Sequence, residues 1–136
     1  MTMRKISVLL LAMALWTSCS KSDSPEPSPK KIDGYWTGQY GRGSATPNLP
    51  YMILFRENRT LRVYAGESDS SRASKAEGTY VREGNRLTIQ YTYISGAFSG
   101  TYSARGSLNT VGNQLTGTYG SGSSTEGGGS FTLVRP

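Results

Sequence analysis

Beyond residue 33, apolar and polar positions alternate along most of the chain. In Gly34–Tyr40, Trp36, Gly38 and Tyr40 make one set, and Tyr35, Thr37 and Gln39 the other. A period of two is that of a half-buried strand. Turn-forming residues cut the remainder into seven further runs: Tyr51–Arg56, Thr60–Ala65, Ala76–Arg82, Arg86–Tyr93, Phe98–Gly106, Gln114–Tyr119 and Ser130–Val134. Leu87, Ile89, Tyr91 and Tyr93 share one parity. So do Phe98, Gly100, Tyr102 and Ala104, then Leu115, Gly117 and Tyr119, and finally Phe131 and Leu133. The run Tyr51-Met52-Ile53-Leu54-Phe55 is apolar on both faces, so its outer face is expected beneath a loop or at an interaction surface.

A Gly two residues before an inward Tyr recurs: Gly38 and Tyr40, Gly78-Thr79-Tyr80, Gly100-Thr101-Tyr102, and Gly117-Thr118-Tyr119. An inward Gly weakens a strand unless the backbone must bend or another group must come close, and small closed barrels need such bends. Gly84-Asn85 and Gly112-Asn113 each feed a strand, which is hairpin chemistry. Irregular spacing between these units argues against a solenoid. The pattern predicts an all-β domain over residues 33–136, an antiparallel up-and-down eight-stranded barrel.

In a meander, connections alternate between the two ends. Gly41–Pro50, Gly66–Lys75 and Gly120–Gly129 are long and follow strands one, three and seven, so they gather at one end. An even strand count puts both ends of the domain at the other, tight-turn end.

The first 32 residues carry a different pattern. Arg4 and Lys5 precede an apolar run, Ile6–Trp16, which suits a signal-peptide core and is too short to span a bilayer. Leu15-Trp16-Thr17-Ser18-Cys19 follows, with the chain's only Cys. Small residues before a lone Cys at this place resemble the lipobox of bacterial lipoproteins, although Trp16 stands where that motif has an aliphatic residue. The resemblance implies a signal peptide over 1–18, acylation of Cys19 and membrane attachment through it. More than one acyl chain gives stable anchoring. Ser20, not an acidic residue, follows the Cys, which by the same resemblance implies the outer membrane. Residues 19–32 then read as a Pro/Ser-rich linker, an extended arm of roughly 35 Å if straight.

Composition narrows the chemistry. There is no His, which removes the commonest general base and metal ligand. With Cys19 acylated, nucleophilic triads are excluded as well. Over residues 33–136, ten Lys/Arg against seven Asp/Glu leave +3. Those charges are scattered, often as adjacent opposite pairs such as Arg56-Glu57, so nucleic-acid binding is not expected. Glu67, Asp69 and Glu126 are expected together on Ser/Gly loops, too mobile a setting for catalysis and too few ligands for a Ca²⁺ site. No catalytic residue, metal or cofactor is expected.

Gly34-Tyr35-Trp36 at the head of the first strand resembles the Gly-x-Trp signature of the lipocalins and their wider relatives, the calycins. The resemblance spans 34–136 in pattern, but only Gly-x-Trp and a terminal Arg are motif-like. It is similar to the small lipocalin-like domains of bacterial envelope lipoproteins; a C-terminal lipocalin helix is absent from the pattern. It implies that Trp36 plugs the closed end and that Arg135 packs across it.

Two functions follow from these readings. One is a binding module, holding a small apolar or amphipathic ligand at the loop-rich end among Tyr40, Tyr80, Tyr91, Tyr93, Tyr102 and Tyr119. The other is a structural or interaction lipoprotein of the cell envelope, whose tyrosines simply fill the barrel and whose partner the sequence does not name. A monomer is expected.

Overall fold

A computed structural model describes residues 30–136; the signal segment, Cys19 and nearly all of the linker lie outside the described residues. Eight strands form in chain order: β1 (Gly34–Arg42), β2 (Leu49–Phe55), β3 (Thr60–Ala65), β4 (Ser74–Glu83), β5 (Arg86–Ser95), β6 (Thr101–Leu108), β7 (Gln114–Ser121) and β8 (Gly129–Val134). Each pairs antiparallel with its neighbour, and β1 pairs with β8, so the meander closes into a barrel. Closure leaves no free sheet edge among the described residues.

The hydrophobic period sets the inside. Trp36, Ile53, Leu61, Val63, Ala76, Leu87, Ile89, Ala104, Leu115 and Leu133 are all fully buried. Met52 and Leu54, on the outer face of β2, are only half-buried. Met52 sits in a groove with Tyr64 and with Glu67, Ser68 and Ser70 of the β3–β4 loop.

The bends come from glycine where the pattern places them in three of four cases. A Cβ on Gly38, Gly78 or Gly117 would collide with the carbonyl oxygen of Thr132, Gln90 or Arg105 respectively, each on the adjoining strand. The neighbouring backbone occupies the space a side chain would need, so the strands coil tightly around a narrow interior. Gly100 differs. Its φ of +94° makes it a loop residue, and β6 begins at Thr101 rather than Phe98. Phe98 therefore belongs to the β5–β6 loop.

The tight-turn end is sealed by packing. Gly84 takes φ +60° as the first of two loop residues between β4 and β5, the conformation a type II′ hairpin requires there. Trp36 donates its indole N–H to the Ile32 carbonyl at 2.7 Å, and the Arg135 guanidinium stands 5.1 Å from the Trp36 ring. The same guanidinium donates to the carbonyls of Lys31 (2.7 Å) and Asp33. Ile32, grouped with the linker by composition, is 4% exposed and joins the core. The segment ahead of β1 thus lies across the closed end and enters the barrel there.

Candidate functional site

The opposite end is built from residues just inside the long connections. β1 and β7 run toward it, so their Gly-x-Tyr units deliver Tyr40 and Tyr119 to the mouth. β6 starts there and delivers Tyr102 at its second residue. Tyr51 near the start of β2, and Tyr91 and Tyr93 late in β5, complete the ring. Arg42 and Phe98 stand at the rim, the guanidinium 5.7 Å from the phenyl centroid. Together with Ala65, these nine residues enclose a cavity of about 80 Å³.

The rings interlock edge to face: Tyr40 with Tyr51 at 5.5 Å and with Tyr119 at 6.0 Å, Tyr91 with Tyr93 at 5.7 Å, and Tyr93 with Phe98 at 5.5 Å. Tyr91 and Tyr102 are stacked instead, 6.0 Å apart. Such contacts fix ring positions as well as burying area.

The hydroxyls are unequal. Tyr51 donates to the Tyr91 hydroxyl at 3.3 Å, and Tyr119 donates to the Gly41 carbonyl at 2.9 Å. The Tyr40 hydroxyl is buried and has no hydrogen-bond partner among the described residues. Burial pushes the Tyr91 phenol up to about 12 and also raises those of Tyr51 and Tyr93, with the neighbouring tyrosines adding to the effect on both. These groups are therefore neutral at any ordinary pH, and act as hydrogen-bond donors and acceptors rather than as bases.

Five of the six tyrosines expected to line the site come together, and Tyr80 does not. β4 runs away from the mouth, so the same Gly-x-Tyr unit carries Tyr80 toward the closed end. There it packs on Phe55 at 5.1 Å and donates to the Arg56 carbonyl at 2.9 Å. The lining also takes in Tyr51, Arg42 and Phe98, which the residue pattern does not mark as site residues. Tyr51 shares parity with Ile53 and Phe55, a signal masked by apolar residues on both faces of β2. Arg42 shares parity with Tyr40, which the residue pattern could have shown had β1 been extended by two residues.

Glu67, Asp69 and Glu126 do lie on mouth-end connections. Asp69 accepts from the Ser71 backbone N–H at 2.9 Å and its hydroxyl at 2.8 Å, and these bonds hold its carboxyl below the usual range. No group of three metal-ligating side chains occurs among the described residues. No protein-family model matches the chain, and no curated protein matches it in sequence.

Proposed function

We propose that this chain is a lipoprotein anchored to the outer membrane through acylated Cys19, whose lipocalin-like barrel is non-catalytic. In this reading the barrel takes the tip of a small amphipathic or apolar molecule at its free end. One observation carries the binding role: a tyrosine-walled cavity that contains a buried hydroxyl with no protein partner. Native interiors rarely leave such a group orphaned, because it costs about 1–3 kcal/mol. A ligand atom that bonds Tyr40 would recover that energy. The cavity is far below the roughly 300–1,000 Å³ of sites that engulf drug-sized ligands. It suits a short chain or a small ring whose remainder stays outside.

The placement of the two ends supports the anchored arrangement. The linker enters at the sealed end, so an arm from Cys19 would leave the mouth facing away from the bilayer. The packed alternative, an envelope lipoprotein that binds partners by its surface, is favoured by the small cavity and the interlocked rings. Native mass spectrometry of the protein from cells separates the two. A recurrent bound small molecule, lost in Tyr40→Phe, supports the binding module, while consistently bare protein favours the packed barrel. Cys19→Ser is expected to move the protein from the membrane fraction to the soluble fraction; retention in the membrane would refute the lipid anchor.

A further inference from the structure

We infer that the mouth selects a short aliphatic monocarboxylate, an inference that rests on the cavity's being a ligand site. Its walls present donors without a negative charge. Arg42 is the one charged residue lining the cavity, and it makes no ion pair among the described residues. The lining includes no Asp or Glu to receive a cationic group, and Arg42 would repel one. The Gly41 carbonyl at the rim already accepts from Tyr119, and the Tyr40 and Tyr119 carbonyls accept from the Asn48 and Gly128 amides. Tyr40 holds the hydroxyl proton left without an acceptor.

Tyr40 and Arg42 are two residues apart in β1, a spacing that puts them on one face, with Tyr40 buried and Arg42 exposed at the rim of the cavity they both line. A carboxylate between them would accept from the phenol and from the guanidinium fork, whose planar geometry matches it. The strengthened bonds would be formed beside a low-dielectric tyrosine wall, where charge-assisted contacts gain. Size limits the rest of the ligand. An apolar cavity of about 150 Å³ accepts a benzene ring, and this one is about 80 Å³. A chain of a few methylenes fits among Tyr51, Tyr91 and Ala65, while a phosphate would bring more charge than the interior could solvate.

The test uses the full chain carrying Cys19→Ser, with butyrate, butyramide and butylamine as matched anionic, neutral and cationic probes. Dissociation constants come from NMR titration of the tyrosine ring signals. Butyrate is expected to bind more tightly than butyramide by about tenfold, the worth of one charge-assisted bond over a neutral one. Butylamine is expected not to bind. Arg42→Gln should erase the preference for butyrate while leaving butyramide unchanged, and Tyr40→Phe should weaken both. Equal affinity for butyrate and butyramide, or an unchanged preference in Arg42→Gln, overturns the carboxylate assignment while leaving the cavity a binding site. Ring signals that respond to none of the three probes, in protein whose spectrum shows a folded barrel, overturn the binding site as well.

Discussion

Replacing Tyr40 by Phe removes one oxygen and leaves the ring. The ring contacts with Tyr51 and Tyr119 are retained, so little packing is lost. What changes is a buried hydroxyl without a protein partner, whose desolvation costs about 1–3 kcal/mol. The variant is therefore expected to be more stable than the parent by about 1 kcal/mol, or roughly 4 °C in Tm for a domain of this size. Urea unfolding followed by far-UV circular dichroism measures it, with an unchanged m-value as the sign that only stability moved. Tyr119→Phe is the matched control. It deletes a hydroxyl that is bonded to the Gly41 carbonyl, and should destabilise by about 1 kcal/mol. If Tyr40→Phe were as destabilising as Tyr119→Phe, the Tyr40 hydroxyl would be satisfied within the protein, and the reason for placing a ligand beside it would be gone. A gain in stability with a loss of binding is the trade expected of a functional residue.

Glycine supplies a second contrast: Gly78→Ala and Gly117→Ala put a Cβ into a neighbouring carbonyl and should each cost about 3 kcal/mol or more, whereas Gly84→Ala meets open space and should cost about 1 kcal/mol for its φ alone. Urea midpoints of the three variants, ranked in that order, check it. Arg135→Ala should cost about 2 kcal/mol through loss of the cation–π contact and two hydrogen bonds, and should shift the Trp36 emission to the red as the closed end loosens. Burial raises the Tyr51, Tyr91 and Tyr93 phenols above their unfolded values, so the stability they contribute is whole below about pH 10 and falls as pH rises beyond it. Alkaline unfolding and phenolate absorbance should accordingly appear together. Burial works to raise the Glu77 carboxyl, but hydrogen bonds and charge from Arg56 and Arg62 outweigh it and leave it lowered. Its contribution is present above about pH 4.5 and fades on acidification, a slope that Glu77→Gln should flatten.

The barrel was legible because a period of two cannot be confused with a helical one, and because Gly-Asn turns marked the tight end. Strand order followed from short connections, and the two ends from their lengths. The Gly-x-Tyr unit was legible as a bending device but not as a site marker. A tripeptide carries no information about which way its strand runs, so the same unit placed Tyr119 at the mouth and Tyr80 near the seal. Gly100 carried the same ambiguity in another form: its positive φ depends on where the β5–β6 loop ends. The contacts of Ser74 were also beyond the pattern. Its hydroxyl accepts from the Ala97 and Phe98 amides at 3.0 and 3.2 Å, tying the start of β4 to the β5–β6 loop. Orphaning of the Tyr40 hydroxyl depends on side-chain packing across three strands, which no local signal encodes.

The seam between β1 and β8 bears on when the protein can fold during its synthesis. Thr37–Arg42 pairs with Gly129–Val134, so the first strand waits for the last. Until Arg135 has left the ribosome, the indole of Trp36 lacks its cation and the barrel has two open edges. Contacts this distant in the chain form slowly, because loop closure precedes their reward. On the proposed reading, in which the chain is exported as an unfolded thread, this delay is an advantage: the first strand to emerge is one that cannot complete its pairing until the last has followed.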